Sequence, residues 1–118
     1  MTEKDRELDK KRIYKRQEMP KLIKMLEDNQ IPHELRFIHD TLQVGYPNFN
    51  ESDIICDVVC HEFSYGGSEG YLEMMGLCDE EPDNVLGWLN AEEVYERISK
   101  HFNEHIGKMV MYLKFKEE

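Results

Sequence analysis

Apolar positions along this chain change period several times, and each change marks an element. Met19, Leu22, Ile23 and Leu26 recur at i, i+3, i+4 and i+7, the stripe of an amphipathic helix. Thr2 suits an N-cap, with Glu3 and Asp5 in the first turn where the helix dipole favours acids, so one long helix is predicted over residues 2–29. Pro20 either kinks that helix or opens a second one at its first position. From His33 the period drops to two, with Leu35 and Phe37 on one face; Leu42, Val44 and Tyr46 alternate again after Asp40 and Thr41. Segments 33–39 and 41–46 therefore predict an antiparallel hairpin. The turn residues of 47–52 lead into an almost unbroken apolar run. A third strand is predicted over 53–60, buried on both faces and central in the sheet.

Farther along, Ser68 caps a predicted short helix, 68–75, that Gly76 ends. DEEPDN (79–84) reads as an acidic turn, and 85–89 as a short apolar linker holding the only tryptophan, Trp88. A helix over 91–105 carries the strongest signal: Asn90 and Glu93 form a capping box, and Leu89 and Val94 a hydrophobic staple. Its core face is Val94, Tyr95, Ile98 and Phe102, with Gly107 just past its end. Met109, Met111, Leu113 and Phe115 alternate, predicting a fourth strand over 109–115 at a sheet edge guarded by Lys108, Lys114 and Lys116. The sum is an α+β domain spanning 1–118: a long N-terminal helix, an antiparallel sheet of three to four strands, and two further helices. A helix of 2–29 would be about 42 Å long, against a body about 35 Å across. Residues 1–18 are thus expected to overhang as a basic helical arm, either solvated or bound to a partner.

Charge sharpens this division. The net charge is −10, but residues 1–24 hold nine Lys/Arg against five acids, while 25–96 hold only Arg36 against seventeen. A body of net charge −16 repels phosphate backbones and attracts basic surfaces, which excludes direct nucleic-acid binding by residues 25–96. No apolar run nears the roughly 20 residues of a membrane span. The N-terminal MTEKDRELDKKR lacks the apolar segment of a secretory signal. Three cysteines without scaffold spacing fit reduced thiols, so a cytoplasmic location is expected.

Candidate chemistry is sparse. Cys56, Cys60 and His61 spell C-x-x-x-C-H, but a strand holds the two thiols about 13 Å apart and turns His61 to the other face. Metal ligands must converge on one point about 2 Å from each, so core packing is expected there and no metal is assigned. His39–Asp40 and Cys60–His61, near Ser64 and Tyr65, supply the residue types of a nucleophile and base without the geometry. SYGGSEG (64–70) stands between a strand and a helix like a phosphate loop. It has no lysine, and Glu62, Glu69 and Glu73 surround it; its glycines suit a tight turn or a loop that a protein partner reads. Asp79, Glu80, Glu81 and Asp83 lack EF-hand spacing and read as a solvated turn.

The segments CHEFSYGGSEGYLEMMGL and VLGWLNAEEVYERI resemble small proteins of Gram-positive prophages and other mobile elements, over residues 30–103. That resemblance imports no site residues; it implies a non-enzymatic modulator of host machinery, such as an acidic inhibitor of a nucleic-acid-handling enzyme, an anti-CRISPR protein included. The leading expectation is accordingly a protein-binding module without cofactor or catalytic residues. It would engage a basic partner through Glu62, Glu69, Glu73, Asp79, Glu80, Glu81 and Asp83. Two alternatives stand beside it: a homodimer formed through the N-terminal helix, and a small metal- or thiol-dependent enzyme using His39, Cys60 and His61.

Overall fold

The computed structural model describes residues 16–38 and 40–117, with side chains to Tyr112. The chain is α+β. Helix α1 (Glu18–Asp28) leads into a five-stranded meander, and two helices follow it, α2 (Ala91–Glu104) and α3 (Ile106–Glu117). The strands are β1 (Glu34–Ile38), β2 (Thr41–Tyr46), β3 (Cys56–Val59), β4 (Leu72–Met75) and β5 (Val85–Leu89), paired antiparallel in the order β1-β2-β3-β4-β5. Among the described residues, no helix is long and apolar enough to cross a membrane.

Period-two burial explains the sheet. Val44 and Tyr46 of β2, Cys56 and Val58 of β3, and Leu72 and Met74 of β4 are buried on the face that meets the helices. Leu22 and Leu26 of α1, and Val94 and Ile98 of α2, complete this core. The hairpin and the central position of β3 are as the sequence predicts. Only one face of β3 is fully buried, however: Asp57 and Val59, pointing the other way, are half-exposed.

Four expectations need correction. The segment 109–115 is helical, within α3, not an edge strand. Its apolar run satisfies both periods, and the helical one wins because Met109 and Tyr112, three apart, turn toward the core while Met111 faces solvent. The predicted helix 68–75 is a single 3-10 turn, Gly67–Glu69, followed by β4. Gly70 at φ 84 ends the turn, and the alternation of buried Leu72 and Met74 with Glu73 and Met75 suits a strand. The linker 85–89 is β5. Finally, α1 starts at Glu18 because Gln17 adopts φ 56, three residues before Pro20, whose missing N–H falls in the first turn where helices leave donors unpaired. The expected overhanging arm falls mostly on residues 1–15 and lies outside the described residues.

The start of α2 is capped three ways. Asn90 accepts from the Glu93 amide at 2.8 Å, Glu93 accepts from the Asn90 amide at 3.1 Å, and buried Glu18 accepts from the Ala91 amide at 3.0 Å. At the other end, His105 separates α2 from α3. Its ring stacks on that of His101, with centroids 4.2 Å apart and planes 17° apart. The Tyr46 hydroxyl and His101 Nδ1 share a hydrogen bond at 2.7 Å. Burial first, and the neighbouring His105 next, hold His101 below the usual imidazole range; Lys108 acts in the same direction and Glu104 against it. The unfolded chain therefore binds the His101 proton at a higher pH than the folded one. Stability that is full at pH 7.5 should decline as pH falls below the unfolded value of about 6.5. Urea midpoints at pH 7.5 and 5.5 measure this decline, and His101→Gln should reduce it; an equal drop in the variant would clear His101 of the effect.

Candidate functional site

The connection between β3 and β4 is a self-bonded loop laid against β5. Ser64 ties its base: Oγ accepts from the His61 amide at 2.9 Å and donates to the His61 carbonyl at 2.7 Å. Amides of Gly67, Glu69, Gly70 and Tyr71 then close successive short bonds to carbonyls of residues 64–67. Tyr65 fastens the loop to the sheet. Its amide donates to Glu73 Oε2 at 2.6 Å, and its carbonyl accepts from the Trp88 amide at 3.1 Å. Gly87 makes this approach possible, since a Cβ there would lie 2.1 Å from the Tyr65 Cβ.

This docking displays aromatic rings. Phe63, Tyr65 and Trp88 are 66%, 65% and 59% exposed. Trp88 sits at φ 59, a backbone region that non-glycine residues adopt at a cost, and outliers of this kind concentrate at functional surfaces. Its ring lies 5.8 Å from that of Tyr71, and the Arg16 guanidinium stacks on the other partner of that pair, 3.8 Å from the Tyr71 centroid. Large exposed aromatics held on a hydrogen-bonded frame are the anchors from which protein interfaces are built. The sequence pattern points to the loop through its glycines and glutamates, yet it leaves Trp88 in a linker.

The seven predicted acidic residues divide into two groups. Glu62, Glu69 and Glu73 belong to the aromatic loop and the start of β4. Asp79, Glu80, Glu81 and Asp83 occupy the β4–β5 connection at the far end of β4, a strand of about 10 Å. Within the first group, Glu62 buries Oε2 without a hydrogen-bond partner, Glu69 is exposed, and Glu73 holds the Tyr65 amide. Within the second, Asn84 folds the turn by accepting from the Cys78 amide at 2.7 Å. Glu80 is paired with Arg97, whose hydrogen bond holds its carboxyl below the usual carboxylate range. Arg97 also donates to the Leu77 carbonyl at 2.9 Å, so the turn is moored to α2 and the Glu80 charge is largely answered within the chain.

The thiols have the opposite character to nucleophiles. Cys56 and Cys78 are buried, and burial pushes both above the usual thiol range. Cys60 is pushed up to about 11, by burial first and the Glu18 charge second, whereas reactive thiolates have depressed values. His61 Nδ1 accepts from the Phe63 amide at 3.1 Å. His39 lies outside the described residues. Among the described residues, no three His, Cys, Asp or Glu side chains converge as a metal site would require. No family model, curated protein or solved structure matches this chain.

Proposed function

We propose that the protein is a non-enzymatic binding module that engages a basic protein surface through the β3–β4 loop and β5. The observation that carries this is the display of Phe63 and Tyr65 on the loop and of Trp88 on β5, all more than half exposed, where the loop's acids are Glu62 and Glu69 and it holds no Lys or Arg. Aromatic rings supply contact area at low entropy cost, and the surrounding carboxylates give sign to the surface and speed encounter with a cationic partner. Asp79, Glu81 and Asp83 extend the negative field from the other end of β4, beyond the neutralised Glu80. The likeness to mobile-element proteins makes a host nucleic-acid-handling enzyme the class of partner to seek, with its phosphate-binding channel as the basic surface. An anti-CRISPR role is one member of that class.

Affinity capture from a Gram-positive host lysate tests the proposal. The full chain should retain a protein that 0.5 M salt releases. Charge reversal at Glu69, Asp79 and Glu81 should abolish retention, whereas reversal at Glu92 and Glu96 on the outer face of α2 should leave it intact. Recovery of nothing salt-sensitive, or equal loss in both sets, sinks the idea.

A further inference from the structure

We infer that the aromatic surface around Trp88 selects arginine side chains of its partner over lysine. This rests on the basic-partner function proposed above and specifies which cation is recognised. The fold shows how it accommodates guanidinium groups. The Arg16 guanidinium carbon lies over Tyr71, 3.8 Å from the ring centroid, while Arg16 Nε stands 4.0 Å from Glu18 Oε2. Arg36 lies 3.9 Å over the Phe49 centroid and donates from Nε to Gln43 Oε1 at 3.0 Å. Two of the three arginines among the described residues thus combine a ring face with a side-chain oxygen within 4.0 Å of Nε. Lys21 and Lys24 instead meet carboxylates, those of Glu18 and Asp28.

The exposed site repeats these components, with no cation from the described residues on Trp88. Trp88 is the strongest cation–π acceptor among side chains, and it is 59% exposed beside the Tyr71 ring that Arg16 already uses. Glu73 commits Oε2 to the Tyr65 amide, and the Tyr65 carbonyl in turn fixes the Trp88 backbone, so carboxylate and indole are held in one hydrogen-bonded unit. Glu73 Oε1 has no hydrogen bond among the described residues. A guanidinium is planar and weakly hydrated: it stacks on a ring and still directs in-plane N–H groups to a carboxylate. An ammonium is a compact, strongly hydrated charge that gives up more on leaving water. Overall negative charge attracts both cations equally, and ring geometry separates them.

Trp88 is the only tryptophan, so its fluorescence reports on the site directly. Nona-arginine and nona-lysine peptides, titrated into the full chain at one ionic strength, should differ. The arginine peptide should bind about fivefold tighter, the size of one exposed cation–π contact, and should change Trp88 emission more at saturation. By calorimetry, Trp88→Leu and, separately, Tyr65→Leu should weaken nona-arginine binding more than nona-lysine binding and so shrink that preference; circular dichroism checks that each variant is folded. Equal binding of the two peptides overturns the arginine preference and leaves the basic-partner function standing. Binding of neither overturns both. A preference that survives in both folded variants overturns the assignment to this surface.

Discussion

Gly67→Ala should destabilise the protein by about 1–3 kcal/mol, the range for forcing extra volume into a closed site, and should abolish partner binding. A Cβ at position 67 would lie 1.7 Å from the His61 carbonyl oxygen and 2.3 Å from Ser64 Oγ. Those atoms cannot yield cheaply. The carbonyl is backbone and accepts from both the Ser64 amide and its hydroxyl, so moving it breaks the tie that closes the loop. With the loop open, Tyr65 leaves Glu73 and Trp88, and the aromatic surface disperses. Gly107→Ala is the matched control. Among the described residues nothing stands within 4 Å of a Cβ there, and the residue is helical, so stability should hold or rise by up to about 1 kcal/mol. Urea denaturation measures both, with hydrogen exchange at Gly67–Tyr71 to detect local opening. A Gly67→Ala midpoint equal to wild type, with the loop amides still protected, would show that the close approach is not a constraint.

Much of this architecture was legible in residue pattern, and the failures have a common cause. The elements read correctly have a helical stripe or two clean alternations: the second half of the predicted N-terminal helix, now α1, through Leu22 and Leu26, the β1–β2 hairpin through Val44 and Tyr46, and α2 through its Asn90–Glu93 box. Where an apolar run was short or nearly continuous, period could not decide. Leu72–Met75 and Val85–Leu89 are strands of four and five residues that exist because each pairs along the sheet with the strand beside it in the meander, and Met109–Tyr112 is helical because one face of it finds the core. The candidate site was half-visible for the same reason. Glycines and glutamates at 64–73 announce an exposed loop, but only the fold of that loop across β5 brings Tyr65 to Trp88, twenty-three positions apart. Charge was read correctly as a total and could not be apportioned: Arg97, outside the acidic stretch, returns to neutralise Glu80.

Glu18→Ala should cost about 2–3 kcal/mol, the range for a hydrogen bond to a charged group whose removal leaves a buried donor unpaired. Glu18 is 4% exposed and is the sole buried charged residue among those described. Its Oε1 accepts from the Ala91 amide across 73 residues of sequence, pinning the first residue of α1 to the first turn of α2, where the helix dipole favours a negative group. Its Oε2 lies 3.7 Å from Lys21 Nζ and 4.0 Å from Arg16 Nε, so the burial of charge is offset from three directions. Glu18→Gln keeps the acceptor and the shape and loses only the charge. It should cost about 1 kcal/mol, the scale of a carboxylate at a helix N-terminus. The two variants should also separate at the surface. Without a carboxylate beside its Nε, Arg16 loses one of the two contacts that hold it over Tyr71, so Trp88 emission should change in both, although only the alanine variant loses much stability. Urea midpoints and fluorescence spectra of the three proteins decide the matter. Equal stability losses in the two variants would assign the contribution to charge rather than to the Ala91 bond, and unchanged Trp88 emission in both would uncouple Glu18 from the aromatic site.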